Sequence, residues 1–448
     1  MRKRNFLKAV CAFILLLGVF SCSSDPDEPE IKVPDEEQND PEPEPEEPSP
    51  EPEPEPGDDI DPESGFEFYV GKMDINTAGG VKINSKENYV DCSISIDHIN
   101  SKWNLDNVEA GIRGRGNSTW EWYPKKPYRI KFDKKQPVLG LGKAKSWVLL
   151  AEYRDPTDLM NAYVFELGQA MEMPFTNHNR YVRLTLNGED MGLYHLTEQV
   201  QQGETRVDDA HEGGMLLSLD QDDGPHYSNE PDNFWSSIYH MPVCVKHPEE
   251  QTQTQLYEIR DKFAELEQII KTGSYEEAEK ILDMKIFADF LLIQELVYNV
   301  ELDAPRSMYL HKDTEGKWTM GPLWDFDGGF DFDWGQIYTG HRYFSNTREL
   351  VMGTNPYNRK GASYNPPRFF TDLFRHDEFK KIYKEEWKKI KNLHFQVWET
   401  TKKYVTNSEW EHEQNLWPIN LQYTGQISAM GNWLNNRIVY LDSFIPSL

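Results

Sequence analysis

Two spacings of apolar residues divide the chain. Between Gly65 and about Asp220 the alternation is two-residue: NYVDCSISID and KPYRIKF set apolar and polar side chains on opposite faces, as half-buried strands require. In YVRLTLNGEDMGLYHLTEQV, residues 181–200, two alternating runs flank the turn formers Asn187 and Gly188 and predict a hairpin. Its second strand puts Tyr194, Leu196 and Glu198 on one face. One helix is predicted in this half, over DPTDLMNAYVFELGQAMEM. Asp155-Pro156 opens it, and Leu159, Tyr163, Leu167 and Ala170 form its apolar stripe.

Beyond Glu249 the spacing lengthens to that of helices. TQTQLYEIRDKFAELEQIIKTG and DMKIFADFLLIQELVYNV are helical, the second apolar enough for a core helix. SMYLHKD and KWTMGPLWDFD then predict a short strand pair around TEGK, and the tail from Pro366 to Leu448 is helical and rich in Trp and Lys. A sheet-rich first half and a helical second half, with an acidic loop between them, describe an α+β body with a cleft.

The N-terminus changes the picture. MRKRNFLKAVCAFILLLGVFSC, residues 1–22, has a basic start, an apolar run of signal-peptide length and small residues at its end. VFSC resembles the lipobox of bacterial lipoproteins, which implies acylation of Cys22; ordinary secretion is the alternative. Residues 23–64 carry 19 acids against one lysine, a charge of −18 in a Pro- and Glu-rich tract that reads as an extended, unfolded linker. The acids just after Cys22 resemble the export signal of Bacteroidetes surface lipoproteins. The expected location is therefore the cell envelope, lipid-anchored at the outer membrane and exposed at its surface.

With a total of −29, the remaining body, residues 65–448, holds −15, which argues against nucleic acid as a partner. Outside the signal only Cys92 and Cys244 remain, either bridged or reduced. His178, His195, His211 and His247 show no metal-ligand spacing and read as structural.

The densest chemistry is GPLWDFDGGFDFDW, where Asp325, Asp327, Asp331 and Asp333 crowd among aromatics and glycines. Burying one unpaired carboxylate is costly, so either water solvates them or a cation sits among them. The spacing lacks the closing Glu of a calcium loop. Asp303, at the end of the core helix and 22 residues before Asp325, gives the layout of a kinase catalytic Asp followed by a metal Asp.

GIRGRGNSTW, KKPYRIKFDKK, SWVLLAEYRDPTDLMNAYVFELG, LNGEDMGLYHLTEQV, VCVKHPEE and GPLWDFDGGF follow one another in order and together resemble the CotH kinase family over nearly all of the body. The resemblance implies an atypical protein-kinase-like fold, with a sheet-rich N-terminal lobe and a helical C-terminal lobe. It also implies transfer of phosphate from ATP to Ser/Thr hydroxyls of an extracytoplasmic protein, with Mg²⁺ or Mn²⁺. Asp303 matches the family's catalytic or metal aspartate and Asp325 its metal aspartate, with Asp327 assisting. Trp318 is placed as an adenine-stacking aromatic or a core tryptophan. The phosphate-pairing lysine is Lys246 or, second, Lys131, with Glu198 or Glu166 as its partner. The sequence has Asn299 four residues before Asp303, where many members read Asn-x-Asp. GIRGRG, with Arg113 and Arg115, superficially resembles a kinase glycine loop but reads better as a packing turn.

Two other function classes stay open. One is a CotH-like adhesin or binding module that kept the fold without turnover. The other is a glycan binder, for which 13 Trp and 22 Tyr supply stacking surfaces.

Overall fold

Strand β1, Gly71–Thr77, sets the rule for the first half: its side chains alternate buried and exposed along the whole strand. The computed structural model describes residues 65–208, 213–222, 232–332, 348–352, 367–418 and 423–448. Residues 1–64, including Cys22 and the acidic tract, lie outside the described residues, as do His211 and Asp333.

Six more strands follow: β2 Val90–Asp97, β3 Leu105–Gly114, β4 Tyr128–Val138, β5 Leu141–Leu150, β6 Arg180–Leu186 and β7 Glu189–Glu198. They run in the order β1-β2-β3-β4-β5-β7-β6 and close into a barrel, with β6 returning to β1 in parallel at Lys72–Arg183. Every other pairing in the ring is antiparallel. The inward side chains, Ile75, Ile94, Ile112, Phe132, Trp147, Leu184 and Leu196 among them, form one apolar cluster. The predicted hairpin is β6–β7, turned by Asn187 and Gly188 at φ 52° and 82°. Asn187 also accepts a hydrogen bond from the Thr77 N–H at 2.8 Å, which ties the turn to β1.

Two helices interrupt the barrel strands, α1 (Ser118–Trp122) and α2 (Met160–Ala170). The second starts five residues after Asp155, because that carboxylate accepts from the Thr157 and Met160 N–H groups at 2.7 and 2.6 Å and holds the intervening residues in a turn. Leu159, Tyr163 and Leu167 are buried as expected, whereas Ala170 is exposed.

The second sheet crosses the division seen in the sequence. Strands β8 (Met215–Leu219), β9 (Asn233–Trp235) and β10 (Pro242–His247) come from the first half; β11 (Met308–Lys312) and β12 (Thr319–Met320) come from the second. Their order is β12-β11-β8-β10-β9, antiparallel throughout. Helices α3 (Gln253–Thr272), α4 (Tyr275–Ile281) and α5 (Met284–Leu296) follow, and the first two carry complete capping boxes, Thr252 with Gln255 and Ser274 with Glu277. Asp283 caps α5. Helix α5 is apolar on nearly every side and packs under α6 (Asp377–Thr401), with α7 (Asn407–Leu416) and α8 (Tyr423–Phe444) completing the helical part. Glu413 of α7 fastens this part to the barrel, accepting from Lys125 Nζ at 2.6 Å and from the Leu193 N–H at 2.7 Å.

The architecture is α+β, and the two largest apolar cores among the described residues lie inside the barrel and between the second sheet and the helices. Among the described residues no helix is long and apolar enough to cross a membrane. Cys92 on β2 and Cys244 on β10 are separate buried thiols, and burial, then the nearby Asp91, pushes the Cys92 thiol up to about 12.

Candidate functional site

A cleft of about 360 Å³ opens between the barrel rim and the second sheet. The barrel side contributes Arg113 and Arg115 from the end of β3, Arg129 from β4, and Glu152 and Arg154 from the turn after β5. The sheet side contributes Lys246 of β10, Ser307 just before β11, and Trp324, Asp325 and Asp327 from the segment after β12. Glu301 enters from a short 3-10 turn, Val300–Leu302, that follows α5.

The backbone is strained where these elements meet. Glu152, Ser307 and Asp325 have φ of 49°, 53° and 64°, a left-handed conformation that costs a non-glycine residue about 1–3 kcal/mol. The surroundings hold them there. Asn161 of α2 accepts from the Phe326 N–H at 2.8 Å and donates to Glu152, which also meets His195 Nδ1 at 2.9 Å. Ser307 Oγ donates to Asp325 Oδ2 at 3.1 Å. Gly328 is required on steric grounds, since a Cβ there would come within 2.7 Å of Glu301 Cγ.

Charge is segregated but closely opposed. Burial first, and the Asp327 charge second, push Asp325 up to about 7 against Arg115, Arg154 and the Ser307 hydrogen bond. Burial, with Asp325 and Asp327 adding to it, raises Glu301 well above the usual carboxylate range, although Arg154 and Arg306 oppose this. Asp327 meets Arg154 at 3.2 Å, and the Arg115 guanidinium lies 5.3 Å from the centre of the Trp324 ring.

Asp325, Asp327 and Lys246 of the sequence-predicted residues line this cleft. Asp303 ends the 3-10 turn, half-buried and outside the lining, and Glu301, two residues earlier, occupies the wall instead. Lys131 lies on β4 opposite Ser146 of β5, also outside the lining. Trp318 is a core residue: only 2% exposed, bridged to Leu282 and edge-on to Phe263, it has no face left for a base. Glu198 is buried away from the lining and pairs with His178 at 2.8 Å rather than with a lysine. Burial pushes its carboxyl up, but His178 and then Arg206 outweigh that and bring it to about 2. Glu166 accepts from Tyr404 and Asn179. His195 stacks on Tyr181, a structural position.

Arg154, Ser307 and Glu301 were missed by sequence reasoning. Glu301 was within reach, because NVELDAP holds two acids two positions apart, and only the 3-10 turn decides which faces the cleft.

The family model described as CotH kinase protein matches residues 112–441. The chain belongs to the CotH kinase family. The matched stretch begins at the end of β3 and contains every cleft residue named above, while β1 and β2, which complete the barrel, precede it. Comparison with curated proteins gave no match.

A kinase family implies a divalent ion and ATP. Among the described residues no group of three or more His, Cys, Asp or Glu side chains is placed to hold a metal. Magnesium held with a nucleotide needs only one or two carboxylates, with phosphate and water oxygens completing its shell. Asp325 and Glu301, both raised first by burial and then by neighbouring carboxylates, are cleft carboxylates that would supply them.

Proposed function

We propose that the cleft binds ATP with Mg²⁺ or Mn²⁺ and transfers its terminal phosphoryl group to Ser/Thr hydroxyls of an extracytoplasmic protein. The observation that carries this reading is Asp325, held half-buried on left-handed backbone beside Ser307, with Asp327 repelling it and arginines facing it. Asp325 and Glu301 would hold the ion, which would supply charge neutralisation to the phosphate chain. Arg115 and Arg129 draw the polyphosphate into the cleft, and Lys246 flanks it from β10. The attacking hydroxyl forms the new P–O bond as the bond to ADP breaks, and its proton passes to an oxygen of the transferred phosphoryl group. The kinase-like two-lobe arrangement belongs to this reading, with the barrel as the sheet-rich lobe. So does the envelope location, through a signal over residues 1–22 and a lipid on Cys22, with residues 23–64 as a stalk and no nucleic-acid partner.

The test is a melting curve of the full chain with and without ATP and Mg²⁺ or Mn²⁺. An upward shift that Asp325→Asn abolishes supports phosphotransfer, and no shift with any nucleotide sinks it. The ion pair of Asp327 with Arg154 favours a second reading, a surface adhesin without turnover, because a carboxylate neutralised by arginine is less open to a cation.

A further inference from the structure

We propose that Arg154 is the phosphate-reading group of the cleft, binding a terminal phosphate through Nε and Nη2 while Nη1 stays on Asp327. This rests on the nucleotide reading above and names the residue that recognises the phosphate chain. Arg154 is 4% exposed and lines the cleft. Its Nη1 meets Asp327 Oδ2 at 3.2 Å, and its guanidinium lies over the Phe332 ring at 4.2 Å, which fixes the plane of the fork. Nε and Nη2 are buried with no hydrogen-bond partner among the described residues.

A guanidinium keeps its charge at every physiological pH, so these donors cannot be relieved by losing a proton. Buried donors in folded proteins are almost always satisfied, and two open ones on a single side chain that lines a cleft suit an acceptor brought by a ligand. Glu301 Oε2, in the same cleft, is also buried and unpartnered. The two orphans have opposite character and do not bond each other. A group that satisfies both must offer oxygen acceptors to Arg154 and a proton or cation to Glu301. A phosphate accompanied by its counter-ion, or by a hydroxyl about to attack it, offers both together. A planar fork presents two parallel N–H groups to two phosphate oxygens, which an ammonium does not.

The experiment uses inorganic tripolyphosphate in EDTA, titrated calorimetrically into the full chain, so that no metal and no base contributes. Wild type is expected to bind, and Arg154→Gln to bind about tenfold more weakly or worse. Arg154→Lys keeps the charge opposite Asp327 but loses the fork, and is expected to lose several-fold; it decides the matter if far-UV circular dichroism shows the Gln variant unfolded. Undiminished affinity in a folded Arg154→Gln or in Arg154→Lys overturns the proposal, as would be seen if Arg154 simply swung onto Glu301. So does wild type that ignores tripolyphosphate. Melting curves of wild type with ATP and Mg²⁺ separate the two failures: a shift there with no tripolyphosphate binding removes Arg154 alone, and no shift in either removes the nucleotide reading as well.

Discussion

Ser307 Oγ donates to Asp325 Oδ2 at 3.1 Å, and both residues hold left-handed backbone. The Ser307 N–H also donates to Asp220 Oδ2 at 3.1 Å, so one serine fixes carboxylates from the end of β8 and from the segment after β12. Ser307→Ala is expected to weaken ATP–metal binding about tenfold, since a hydrogen bond to a charged group contributes about 1.5–3 kcal/mol. Calorimetric titration checks it. Unchanged affinity would mean that Asp325 needs no positioning.

Asp325→Asn should move two quantities in opposite directions. Removing a buried, repelled carboxylate raises the melting temperature of the unliganded protein by about 2 °C or more, while the nucleotide-dependent rise disappears. A variant that melts lower without ligand would mark Asp325 as a structural group.

Trp318→Phe tests the assignment of that residue to the core. Its packing against Phe263 predicts a loss of about 0.5–3 kcal/mol in stability with nucleotide affinity intact. Denaturant unfolding and ATP titration of the same sample give both values, and selective loss of ATP binding would return Trp318 to the nucleotide.

A pH dependence arises away from the cleft. Asp289 of α5 is fully buried; Lys285 Nζ meets it at 2.7 Å and Glu386 of α6 at 3.7 Å. Burial pushes Asp289 up to about 7, with Glu386 adding to this and Lys285 opposing it. The folded protein thus keeps a proton that the unfolded chain releases near pH 4. The resulting stabilisation is complete below that pH and is lost as pH rises through about 7. Lys285 is itself raised, by Asp289 and Glu386 against burial, and so titrates above this window. Melting temperature should fall between about pH 4.5 and 7.5, and Asp289→Asn should flatten the fall. An equally steep variant would place the proton elsewhere.

Local signals carried the elements but not their meeting places. The β6–β7 hairpin was legible because Asn187-Gly188 encodes its own turn, and α3 because its apolar residues recur at helical spacing. Closure of the barrel was not, since the β1–β6 pairing depends on residues over a hundred positions apart. Asp325 and Asp327 announced themselves by density. Arg154 did not, because an arginine in a turn reads as solvated until Phe332 and Asp327 are brought against it. Trp318 was ambiguous for the same reason: its neighbours Leu282 and Phe263 belong to other elements.

The parallel seam between β1 and β6 has a bearing on biogenesis. A nascent polypeptide released before Arg180 would expose β1 and β5 as naked rims, each a template for strand addition by another molecule. Premature termination within this stretch should therefore yield aggregates rather than a smaller soluble product, and safe passage depends on keeping the early strands apart until the ring can shut.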